Sequence, residues 1–116
     1  MSRRATLPQP TSELERAAYT MMKQEGLPLP QTQVRFMAGR RFRADFCWPA
    51  PARVILEVQG GTWNQGGHVR GRGYESDCVK SNLAQLEGYL YLQATTDQIH
   101  SGEFIGWVRR ALELRS

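Results

Sequence analysis

The sequence predicts an α/β domain in which helices flank a four-stranded sheet, in the order α-β-β-β-α-β-α. Three observations carry this. Apolar residues recur at helical spacing near both ends, from Leu14 to Met22 and from Phe104 to Leu112. Between them, Arg41–Trp48 and Arg53–Gln59 alternate apolar and polar residues, the period of a strand. A length of 116 residues with 41% hydrophobic content suits one core and leaves no room for a second.

Residues 1–10 are polar, with two prolines, and read as a flexible N-terminal arm whose Arg3 and Arg4 can touch a phosphate backbone. Residues 11–116 read as the single domain. Ser12 can cap a helix, with Glu15 three residues on to complete a capping box, and Gly26 and Pro28 stop it. Leu14, Ala17, Ala18, Met21 and Met22 form its buried stripe. Glu15 lies beside that stripe, where it can serve the cap or a functional site. Residues 27–33 read as a proline-rich connector, and Val34–Met37 as a short strand that turns at Ala38-Gly39.

The next strand, Arg41–Trp48, puts Phe42, Ala44, Phe46 and Trp48 on one face and Arg41, Arg43, Asp45 and Cys47 on the other. Pro49-Ala50-Pro51 must turn the chain, because proline cannot sit inside a paired strand. Arg53–Gln59 then points Val54, Leu56 and Val58 inward, with Arg53, Ile55, Glu57 and Gln59 opposite. Pairing Trp48 with Ala52 across the turn sets Asp45 opposite Ile55 and Glu57 opposite Arg43. The two carboxylates become diagonal neighbours on one polar face, with Cα atoms ~7 to 8 Å apart. A one-residue slip would turn Val54, Leu56 and Val58 to solvent.

From Gly60 to Gly73 the chain is rich in glycine, and it carries Trp63, His68 and Arg70 with Arg72. Such a loop lets amides and arginines approach phosphates and Trp63 stack on a base. His68 can act as a base or contact a phosphate. A second helix spans Tyr74–Glu87, stopped by Gly88, with Val79, Leu83 and Leu86 as its apolar stripe. Tyr89–Ala94 reads as a strand, Thr95-Thr96-Asp97 as a turn, and the last helix begins near Ser101 with Phe104, Ile105, Val108, Ala111 and Leu112 buried.

Fifteen Lys and Arg against eleven Asp and Glu leave a net charge of +4, which suits a polyanionic partner. The arginines cluster at Arg35, Arg40, Arg41 and Arg43 and again at Arg70 and Arg72, a basic rim around one region. Two cysteines without a CxxC pair exclude a disulfide scaffold and predict free thiols. No apolar run nears the ~20 residues that cross a bilayer, so no membrane role is expected and a cytoplasmic protein is.

Two carboxylates at that spacing can share a divalent cation, whose oxygen ligands lie at ~2.1 Å for magnesium. A strand with Asp45, a turn, a strand ending Glu57-Val58-Gln59, then a helix and a strand resemble the core of the PD-(D/E)XK nucleases. That resemblance implies a restriction-endonuclease-like fold with a mixed central sheet. Glu15 ahead of the core resembles the arrangement in archaeal-type Holliday-junction resolvases. Gly73-Tyr74-Glu75-Ser76-Asp77, with Lys80, Asn82, Leu86 and Gly88-Tyr89, resembles the very-short-patch repair endonucleases. The resemblance spans Ser12 to Ala94.

It implies that Asp45, Glu57 and the backbone carbonyl of Val58 bind Mg2+, with Mn2+ able to substitute, and that Glu15 supports the site. Gln59 departs from the pattern, standing where a lysine is usual. Glutamine can orient water but supplies no charge, and Lys80 or His68 would have to supply it, Lys80 being favoured. The implied activity is endonucleolytic hydrolysis of DNA, with Arg41, Arg43, Trp63, His68, Arg70 and Arg72 as DNA contacts. Branched DNA of the Holliday-junction kind is the favoured substrate, cut by a homodimer. The alternatives are a mismatch or repair nicking endonuclease and a non-catalytic DNA-binding module with a decayed site.

Overall fold

A computed structural model describes residues 12–60 and 72–116. The expected arm and most of the glycine-rich loop lie outside the described residues. The elements are α1 (Glu13–Gln24), β1 (Gln31–Val34), β2 (Ala44–Trp48), β3 (Val54–Gln59), α2 (Arg72–Leu86), β4 (Leu90–Thr95), α3 (Thr96–Ser101) and α4 (Glu103–Leu114). The sheet runs β1-β2-β3-β4. β1–β2 and β2–β3 are antiparallel and β3–β4 is parallel, so the sheet is mixed as expected. The parallel pair needs a crossover, and α2 supplies it.

One face of the sheet packs on α1, α3 and α4. Phe46, Trp48, Val54, Leu56 and Ala94 meet Ala18, Met22, Ile99, Phe104 and Val108 there, all buried. The alternation in β2 and β3 and the stripes of the first and last helices produce this core directly. The opposite face was expected to be polar, yet Cys47 and Ile55 are buried in a smaller cluster with Ala44 and Ala84 under α2. A crossover helix must cover the second face of a parallel pair, which excludes water from it. Burial pushes the Cys47 thiol up to about 11, so Cys47 is a packing residue.

Several boundaries differ from the sequence reading. β1 comprises Gln31–Val34, not Val34–Met37, because the end of the expected connector pairs with β2, Thr32 against Phe46. An edge strand rich in Gln and Thr shows no apolar alternation to reveal it. β2 starts at Ala44, not Arg41. Phe42 precedes it and packs against Phe36, which in turn packs on Tyr89, on the α2 side of the sheet.

The stripe expected on α2 is also corrected. Val79 is 42% and Leu86 81% exposed, and the helix meets the sheet through fully buried Ala84, whose small side chain allows close approach. The turn expected at Thr95–Asp97 is instead the start of α3. Thr95 caps it in a reciprocal capping box with Gln98, and Gly102, at φ 83°, separates α3 from α4. Among the described residues no helix is long and apolar enough to cross a membrane.

Candidate active site at the divergence of two strands

The β2–β3 register decides how the carboxylates meet. Trp48 pairs with Val54, Cys47 with Ile55 and Phe46 with Leu56, so the strands are offset by two residues from the expected pairing. The loop between them is longer than a tight turn, with Arg53 in the left-handed region at φ 55° and its N–H donating to the Pro49 carbonyl. An offset of two preserves the faces expected for Phe46–Trp48 and Val54–Leu56, whereas Ala44, expected beside Phe46, packs with Cys47 and Ile55 under α2. Continued one step past the last ladder pair, Phe46–Leu56, that register brings Asp45 across from Glu57 and no longer diagonal to it.

At that place the carboxylates bond to the backbone of the facing strand. The Asp45 N–H donates to Glu57 Oε2 at 3.1 Å, and the Val58 N–H donates to Asp45 Oδ2 at 2.8 Å. This reciprocal clasp positions both acids against the sheet. Two further elements reach them. Lys80 of α2 brings its Nζ to 2.9 Å from Glu57 Oε1 and also donates to the Arg43 carbonyl. Gln33 of β1 donates through Nε2 to Asp45 Oδ1 at 3.2 Å and to Glu15 Oε1 at 3.1 Å.

Glu15 is thus linked to Asp45 through the Gln33 amide. Ser12 caps α1 by accepting from the Glu15 N–H at 3.1 Å, while the Glu15 side chain is buried and turned towards β1. Gln59 ends β3 opposite Thr95 and shares the face of Glu57. Trp63, His68 and Arg70 lie outside the described residues, as does the side chain of Arg72. Arg41 lines an open groove of about 590 Å³ with Arg40, Phe42, Ser76 and Val79. A second cleft, about 720 Å³, opens beside Glu15, Val58, Gly60, Thr96 and His100. A Cβ at Gly60 would lie 2.9 Å from Leu14 Cδ2, so a side chain there would have to displace the end of Leu14.

Burial raises the Glu57 carboxyl to about 7. The charge of Asp45 adds to this rise, and Lys80 and the Asp45 N–H offset only part of it. Asp45 is raised too, chiefly by burial and then by Glu15, against the Val58 N–H, Lys80 and Gln33. Tyr91 of β4 is pushed upward by burial and by Glu57, Asp77 and Asp45, so its phenol stays protonated beside the acids. Glu15, Asp45 and Glu57 gather here with the Lys80 ammonium, an arrangement in which a divalent cation would offset the remaining carboxylate charge.

Among the described residues no three His, Cys, Asp or Glu side chains form a complete cage. Magnesium needs none, because it commonly takes one or two carboxylates and completes its shell with water and substrate phosphate. The Asp45–Glu57 pair fits that donor chemistry. The sequence reading missed Gln33, which it assigned to the connector, and Tyr91. No pattern in Gln31-Thr32-Gln33 marks the amide, because its partners lie on α1 and β2.

No family model matches the chain, and neither does any curated protein. A solved structure, the catalytic domain of the homing endonuclease I-Bth0305I, superimposes with a TM-score of 0.62, covering 90% of this chain and 96% of that one. The chain shares its fold. Sequence identity is 14%, so the likeness is one of architecture: a mixed four-stranded sheet with flanking helices.

Proposed function

We propose that the chain is a metal-dependent DNA endonuclease of the PD-(D/E)XK type, acting on branched DNA as a homodimer. The observation that carries the reading is the clasp of Asp45 and Glu57 where β2 and β3 diverge, with Lys80 2.9 Å from Glu57. The fold shared with a homing endonuclease catalytic domain supports it. So does the net charge of +4, with Arg40, Arg41 and Arg43 close together in the chain just before Asp45.

Asp45 and Glu57, with the Val58 carbonyl, would hold Mg2+ or Mn2+. A bound magnesium supplies Lewis-acid polarisation of the scissile phosphate and a more acidic water. The Lys80 ammonium favours the ionised form of Glu57 and offers positive charge beside the approaching phosphate, the role Gln59 cannot fill. Gln59 orients water by hydrogen bonds. Arg41, Arg43, Arg70 and Arg72 hold the DNA backbone without reading sequence, with His68 as a further DNA contact and Trp63 stacking on a base. A twofold dimer would present two such sites to the two strands of a four-way junction.

The test is cleavage of a four-way junction, a mismatched duplex and a plain duplex side by side, with and without Mg2+. Junction cleavage that needs Mg2+ and disappears in Asp45→Asn, with DNA binding retained, is the expected result. Preferential nicking of the mismatch would replace the branched substrate by a repair substrate. Binding without cleavage of any substrate, in Mg2+ or Mn2+, would remove the enzyme reading and leave a DNA-binding module.

A further inference from the structure

Gln33 combines two unusual features. It lies in a β-strand with φ 51°, a left-handed conformation that residues other than glycine rarely adopt. Its half-buried side chain runs between two carboxylates, from Asp45 on β2 to Glu15 on α1. Both partners only accept hydrogen bonds when ionised, so the amide NH2, with its two protons, must be the end that faces them. Strained backbone persists where its surroundings over-determine it, and it concentrates at functional sites.

We propose that Gln33 is a positioning residue for the cation site, tying Glu15 of α1 to the Asp45 carboxylate and fixing the direction in which Asp45 points. The inference rests on the nuclease reading and deepens it. Asp45 has two oxygens, each with a separate donor: the Val58 N–H on Oδ2 and the Gln33 amide on Oδ1. The Val58 N–H alone leaves the carboxylate free to rotate about that bond. The second donor, anchored on another strand, removes that freedom. A neutral amide does this without adding a positive charge that would compete with a metal ion. Outer partners of this kind typically change metal affinity by about 10- to 100-fold when removed.

The experiment is calorimetric titration of the folded protein with Mn2+, alongside thermal melting. Gln33→Met keeps the length of the side chain and loses both donors. Gln33→Gly loses them as well and frees the backbone from its left-handed penalty. Both variants are expected to bind Mn2+ about tenfold or more weakly than wild type. Gln33→Gly should melt no lower than Gln33→Met, because glycine adopts this conformation readily. Folded variants that bind Mn2+ within twofold of wild type would overturn the inference while leaving the nuclease reading intact. A wild-type protein that takes up no Mn2+ and cleaves no DNA would overturn both.

Discussion

Replacing Glu57 by glutamine should remove a pH dependence that this carboxyl gives the wild-type fold. The Glu57 carboxyl moves from an ordinary value of 4.5 to about 7 in the folded chain, chiefly through burial. Its protonated form is therefore the one that folding favours. Stability from this group is fully present below pH 4.5 and is lost as pH rises to 7, above which the loss levels off. At roughly 1.4 kcal/mol per pH unit, that interval corresponds to about 3 kcal/mol. Glu57 is only 6% exposed, so solvent does little to screen the effect, and Asp45 is shifted in the same direction.

Urea unfolding of wild type and Glu57→Gln at pH 5, 6, 7 and 8, with chelator present, isolates the difference. Wild type should lose about 2 to 3 kcal/mol relative to the variant across that range. Glutamine also leaves Lys80 without its carboxylate, which lowers the variant's stability at every pH, so the slope is the diagnostic quantity. Parallel curves would refute the argument, since they would mean that Glu57 is ionised as easily in the folded chain as in the unfolded one.

Lys80→Met should lower cleavage by about a hundredfold or more. It should also move the acidic limb of the pH–rate profile upward, because the Lys80 charge holds the Glu57 carboxyl down. Arg41→Ala should weaken DNA binding equally for all sequences and reduce the slope of log K against log salt by about one, measured by fluorescence anisotropy. Phe46→Ala empties a fully buried position that stacks on Tyr19 at 6.3 Å, and should cost about 3 to 5 kcal/mol in denaturant unfolding. Ser12→Ala removes the hydroxyl that accepts from the Glu15 N–H, and should destabilise the fold by about 1 kcal/mol.

Particular residues show where a linear reading succeeds. Val54, Leu56, Phe46 and Trp48 could be assigned to one core face because a strand alternates strictly, and that face is theirs in the folded chain. Phe104, Ile105, Val108 and Ala111 follow helical spacing and are buried accordingly. Val79 and Leu86 obey the same rule and are exposed, because a stripe says which residues share a side and not how much of that side a narrow sheet can cover. Thr95-Thr96-Asp97-Gln98 carried a legible capping box, but the turn preference of its first three residues masked it.

Asp45 and Glu57 show the same division at the candidate site. Their shared face follows from strand parity, a local property of each strand that any even offset preserves. That they come across from each other, each bonded to the facing backbone, follows from the two-residue offset set by the longer loop between β2 and β3, in which Arg53 adopts a left-handed conformation. The sequence by itself determined the alternation, the helical stripes and the acids available for chemistry, because each depends on neighbours a few residues apart. Only the tertiary structure decided that Lys80 and Gln33 reach those acids and that Gln33 links Glu15 to Asp45. Their contacts join α2, β1 and α1 to the β2–β3 pair, and no local periodicity encodes an approach between elements so far apart in the chain.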